Sequence, residues 1–140
     1  MSCPTAKLQR INPPELVSPP GYAQVVKVRN GTVIFIAGQV ASDASGKPVG
    51  GTDAEAQADQ VFANLNIALN AAGASIRDLV KLTVYLRDMR DLPKYRRARD
   101  RFLGTVTPSA MPAITLVEVS NLFASDYLIE VDAIAASDAV

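Results

Sequence analysis

Pro112-Ala113-Ile114-Thr115-Leu116-Val117-Glu118-Val119, followed after a turn-like stretch by Leu128-Ile129-Glu130-Val131-Asp132-Ala133-Ile134-Ala135, decides how the rest of this chain is read. Both runs alternate β-branched and apolar residues with period two, the pattern of β-strands. In the first, Ile114, Leu116 and Glu118 share one face, with Ala113, Thr115, Val117 and Val119 on the other. In the second, Ile129, Val131, Ala133 and Ala135 form an apolar face. Opposite them stand Leu128, Glu130, Asp132 and Ile134, a mixture that suits neither a dry core nor an ordinary solvated surface. Two readings fit it: surface acids at a sheet edge, or a cleft or subunit interface in which Glu130 is partly desolvated and chemically available.

Working back from these strands, 49% of the 140 residues are apolar, enough for one folded domain over residues 1–140. Fourteen basic residues balance fourteen acidic ones, so no net charge recruits nucleic acid or an anionic membrane. No run reaches membrane-spanning length and the start has no apolar signal core, which makes the cytoplasm the expected location. Histidine is absent, which removes serine–histidine and cysteine–histidine catalysis and the commonest zinc ligand. The single cysteine, Cys3, has no partner for a disulfide within the chain. Acid–base chemistry therefore falls to carboxylates, tyrosine, lysine or bound water, with no cofactor and no metal expected.

Residues 1–19 are polar and proline-rich and read as an extended lead-in. Residues 23–28 and 32–37 are strand-like, and Asn30-Gly31 between them is the preferred pair of a two-residue hairpin turn. The second of these strands is apolar on both faces, as if helices covered one side and another subunit the other. Residues 41–51 form a loop whose Ser45-Gly46-Lys47 lacks the spacing and the Ser/Thr of a phosphate loop. A helix is predicted from the capping-box spacing of Thr52 and Glu55 to a C-terminal Gly73, with Ala58, Val61, Phe62, Leu65, Ala68, Leu69 and Ala72 as its apolar stripe. Residues 79–86 are a third strand, with Val80, Leu82, Val84 and Leu86 alternating with Lys81, Thr83 and Tyr85. Residues 92–103 are a second helix carrying Leu92, Tyr95, Ala98, Arg99 and Phe102 on one side. Its arginines are expected to be solvated, with Arg96 pairing to Asp100. The order is β-β-α-β-α-β-β, an α+β pattern with two helices on one face of a mixed sheet. The apolar face left over predicts oligomerisation.

Several segments together resemble the YjgF/Rid family: Asn12-Pro13-Pro14, Pro20-Gly21-Tyr22, Ile36-Ala37-Gly38-Gln39-Val40, Leu79 through Met89, Val117-Glu118-Val119 and Ile129 through Ala135. The resemblance covers nearly the whole chain in order. It implies a chorismate-mutase-like fold and a homotrimer whose sheets form a central barrel, with ligand clefts between subunits. RidA-like members hydrolyse enamine and imine intermediates to 2-oxo acids and ammonia. By resemblance, Tyr22 is a cleft tyrosine, Gly38 the glycine whose backbone approaches ligand, and Glu130 the carboxylate that positions or activates water. The substrate-gripping arginine of RidA-like members is replaced by Ile114. Leu116 replaces a polar residue, Ala37 a serine, and Arg96 an asparagine.

An aliphatic wall cannot pair with a carboxylate, so simple 2-oxo acids are expected to bind weakly. Two functions compete: a cofactor-free hydrolytic deaminase acting on a small metabolite, and a non-catalytic module that binds or senses one at the same clefts. A ribonuclease or translation-inhibitor activity, suggested by labels attached to relatives, is the weakest because the chain is neutral and lacks a stacking platform.

Overall fold

The computed structural model describes residues 7–104, 106 and 110–138; Cys3 lies outside them. Among the described residues the elements are strands β1 (Lys7–Ile11), β2 (Val25–Arg29) and β3 (Thr32–Val40), helix α1 (Ala54–Ala71), a 3-10 turn at Ile76–Asp78, β4 (Leu79–Leu86), a second 3-10 turn at Met89–Asp91, helix α2 (Leu92–Leu103), β5 (Ala113–Glu118) and β6 (Ile129–Ser137). Four strands make a mixed sheet in the order β3-β6-β4-β5, and β1-β2 form a separate antiparallel pair. β6 runs antiparallel to both neighbours and sits between β3 and β4, while β5 is parallel to β4. The chain thus makes a split β-α-β unit around β6, then a β-α-β crossover to the edge.

Alternation sorts the side chains. Leu82, Val84 and Leu86 stand opposite Ala133, Val131 and Ile129 on β6, and opposite Ile114, Leu116 and Glu118 on β5. This face meets the helices. Val61, Phe62, Leu65 and Leu69 of α1 and Tyr95 and Ala98 of α2 close the core against it. Phe62 stacks on Phe102 with ring centroids 4.6 Å apart, joining the two helices. The other face of the sheet is open: Val33, Phe35 and Val117 are exposed there.

Several expectations need correction. The lead-in is not merely extended, because β1 pairs with β2 over its whole length. Arg10 fixes β1 in place by donating to the carbonyl oxygens of Met111, Arg77, Leu79 and Ala110 at 3.0–3.4 Å. Burial lowers its pKa, and Asp78 opposes that. Asn30 and Gly31 do reverse the chain with positive φ of 56° and 89°. Their flanking strands nevertheless pair elsewhere, β2 with β1 and β3 with β6. The turn sets a local reversal, whereas Ile34 and Ile36 choose β6 because only that pairing buries them against the helices.

The cap of α1 is Asp53, whose carboxylate accepts from the Glu55 amide at 3.0 Å, and not a Thr52–Glu55 box. Glu55 instead receives Arg97 at 2.7 Å and Arg101 at 2.9 Å from α2, two charged partners in place of one amide. At the other end Gly73 has φ 75°, and the amides of Gly73 and Ala74 return to the carbonyls of Asn70 and Leu69, a Schellman closure. Ala72 is exposed, outside the stripe. On β4 a register shift between Leu79 and Lys81 buries Leu79 in place of Val80. Asp100 pairs with Arg99 and not Arg96.

Candidate functional site

The open face of the sheet carries an acidic cluster. Glu130 and Asp132, two apart on β6, share that face, and Tyr85 of β4 stands opposite Glu130. The Tyr85 hydroxyl donates to Asp132 at 3.0 Å, and holding that anion raises its pKa. Glu130 is partly buried and makes no ion pair. Burial raises its pKa first, and the Asp132 charge adds to it. Beside Glu130 the ladder between β3 and β6 shifts between Ile36 and Gln39, a bulge that falls at Ala37-Gly38. A Cβ at Gly38 would collide with the Glu130 carboxylate, so the glycine leaves the room in which that side chain lies against the strand. Together these residues make an accessible carboxylate of raised basicity beside exposed backbone. Such a group is a stronger base than an ordinary glutamate and can accept a proton from a bound water.

A pocket of about 230 Å³ lies on the other side of the sheet, between α2, β5 and the segment before β2. Ala23 donates its amide to Pro112 at 2.8 Å and bridges to Ala113, which holds Tyr22 at the edge of β5. Tyr22, Arg96, Ile114 and Leu116 all line this pocket. Ile114 and Leu116 point to the helix side because they register with Leu82 and Val84.

The seven residues singled out from sequence therefore fall into two groups. Tyr22, Arg96, Ile114 and Leu116 share the pocket. Ala37, Gly38 and Glu130 share the open face, and none of these three lines that pocket. Glu118, on the helix side, is engaged by the Met89 amide at 2.9 Å.

Two polar residues of the pocket were not singled out. Tyr95 is 2% exposed, its hydroxyl lies near the Arg99 guanidinium without completing a hydrogen bond of good geometry, and burial pushes its pKa to about 12 against the opposing charge of Arg99. The Arg99 side chain is 13% exposed, with its guanidinium 5.9 Å from the Tyr95 ring centre. A signal for Arg99 was present, since an arginine on the apolar stripe of a helix breaks the usual pattern. Among the described residues no group of three or more carboxylates or thiols converges as a metal site would require, and no helix is long and apolar enough to cross a membrane.

Comparison with known proteins agrees with this architecture. Residues 15–137 match the family described as Endoribonuclease L-PSP. A RutC family protein of Pyrococcus horikoshii is 39% identical over 124 residues, covering 89% of this chain and 91% of that protein. The 2-iminobutanoate/2-iminopropanoate deaminase of Salmonella typhimurium is 33% identical over 124 residues, again covering 89% and 91%. A crystal structure of a Rid family protein of unknown function from Yersinia pestis superposes with a TM-score of 0.82 at 32% identity, covering 92% of this chain and 98% of that one.

Proposed function

We propose, from the premise that this chain belongs to the YjgF/Rid family, that it binds a small metabolite at clefts between subunits and hydrolyses an enamine or imine there without a cofactor. One observation carries the reading: Glu130 is a partly buried carboxylate with a raised pKa, free of ion pairs, packed against Gly38 on the open face beside Asp132 and Tyr85. The chemistry named for the Salmonella relative suits such a group. Water adds across the C=N bond, forming C–O, while Glu130 takes a proton from that water. That proton passes to nitrogen to complete a carbinolamine; Glu130 then takes the remaining hydroxyl proton and delivers it to nitrogen as C=O forms and C–N breaks, giving a carbonyl compound and ammonia. Glu130 ends as it began.

The cleft needs a second copy in this reading. Within one chain, Glu130 and the pocket of Tyr22, Arg96, Ile114 and Leu116 lie on opposite faces of the sheet. The proposed assembly is a homotrimer that covers Phe35, which is 78% exposed beside the exposed Val33. Burying one phenylalanine contributes roughly 1.5–3 kcal/mol per interface, so Phe35→Asp should give monomers in light scattering at micromolar concentration. An unchanged assembly would place the interface elsewhere.

An RNA-directed activity is disfavoured by the charge arrangement of α2. Arg97 and Arg101 are taken up by Glu55 and Asp59 of α1, so the basic helix offers little free charge to phosphates. The test of hydrolysis is release of 2-oxo acid and ammonia from an imine generated in situ. Binding without turnover would leave a non-catalytic metabolite-binding protein.

A further inference from the structure

Two carboxylates stand on the open face, and the hydrolytic step uses only one of them. Glu130 and Asp132 are two residues apart on β6, about 7 Å along the strand, and their residue types do not say which should carry the proton. Their surroundings differ. The Glu130 carboxylate lies toward β3, against Gly38. Asp132 turns the other way, toward β4, where its Oδ2 accepts from the Tyr85 hydroxyl at 3.0 Å. Tyr85 registers with Glu130 and Asp132 with Thr83, so the phenol crosses diagonally to reach its acceptor. The basic groups of this face are engaged elsewhere. Lys81 donates to Thr115 at 2.6 Å, and Arg87, just beyond β4, donates to the Ser125 carbonyl at 2.8 Å. β3 contributes no ionisable side chain, and that of β5, Glu118, is on the helix side.

We infer that Tyr85 is a positioning residue: by donating to Asp132, it makes Glu130 the carboxylate that takes and returns the proton. Two neighbouring carboxylates compete for their first proton, because protonating either one relieves the repulsion between them. A hydroxyl that donates to one of them stabilises its charged form and withdraws it from that competition. Glu130 is the member of the pair left without such a donor among the described residues, and burial together with the Asp132 charge raises its pKa. Tyr85 remains a donor throughout, since the bond to Asp132 is the first cause that raises its own pKa. A phenylalanine at this position would fill the same space and leave the proton shared. The consequence for turnover rests on the hydrolytic reading, whereas the placement of the proton does not.

A side-chain carboxyl NMR titration of the intact protein tests this without any substrate. The chain has four glutamates, so Glu130→Gln identifies the Glu130 signal by its loss. In Tyr85→Phe the Glu130 midpoint should fall by roughly 0.2–0.5 pH and its curve should broaden, as Asp132 begins to share the proton. Asp132→Asn cannot take a proton, so adding Tyr85→Phe to it should leave the Glu130 midpoint where Asp132→Asn alone puts it. The acid limb of kcat/KM should follow the same pattern. Tyr85→Met, equally without a hydroxyl, serves if the phenylalanine variant fails to fold. A Glu130 midpoint unmoved by loss of the hydroxyl, or moved equally with and without Asp132, overturns the inference even if the melting temperature drops. The expected shifts in a protein that turns over no imine would uphold the placement of the proton while removing the hydrolase.

Discussion

Glu130→Gln should lower turnover of an imine substrate roughly 10²–10⁴-fold, the loss expected when a positioned acid–base group is removed. The amide has nearly the shape of the carboxylate and still fits beside Gly38, but it cannot take a proton from water. Wild-type rates in this variant would remove Glu130 from the mechanism. The pH profile gives a second readout. Activity needs the carboxylate, so kcat/KM should fall on the acid side at a pH above the ordinary glutamate value of 4.5, because burial and Asp132 raise the pKa. Asp132→Asn removes one of those causes and should move that limb downward. Stability runs the opposite way. A carboxyl whose folded pKa lies above its unfolded value favours the fold below the unfolded pKa, and this contribution is lost as pH rises through the folded one. Near neutral pH the charged Glu130 is thus a burden on the fold, and Glu130→Gln should melt at or above wild type. Such an exchange of stability for activity is common at reactive sites.

Gln57→Leu should cost roughly 2–5 kcal/mol of stability, because each buried backbone group left unpaired costs about 1–3 kcal/mol. Gln57 is 1% exposed in the first turns of α1, where a sequence pattern would place a solvated residue. Its Nε2 donates to the carbonyls of Gly51 at 2.7 Å and Asp126 at 2.8 Å, and its Oε1 accepts from the Leu128 amide at 2.8 Å. One side chain therefore ties the loop before α1 to the loop that enters β6, two residues ahead of Glu130. Urea denaturation at fixed protein concentration checks the prediction, and the melting temperature should drop by about 2–4 °C per kcal/mol. A loss under about 1 kcal/mol would mean that water replaces the three bonds. Leucine has a similar volume, so the effect isolates hydrogen bonding from cavity formation.

The parts of this protein legible in its sequence are those where periodicity and burial coincide. The alternations of Leu82-Val84-Leu86 and Ile129-Val131-Ala133-Ala135 name the faces that meet the helices. The stripe of α1 from Ala58 to Leu69 and its Gly73 stop are local patterns that the fold keeps. Glu130 stood out in the sequence because a carboxylate on a strand rich in apolar residues calls for a reason. The partners of those elements were not legible. Asn30-Gly31 sets a reversal but cannot say that β3 leaves β2 for β6, since that choice is made by the burial of Ile34 and Ile36 against residues far along the chain. Arg10, Gln57 and Tyr95 look ordinary in sequence. What gives them their roles is three-dimensional: four carbonyls gathered around one guanidinium, three backbone groups around one amide, and a hydroxyl buried beside an arginine without a well-formed hydrogen bond. Hydrogen bonding and desolvation depend on which distant groups share a small volume, and only the tertiary structure decides that.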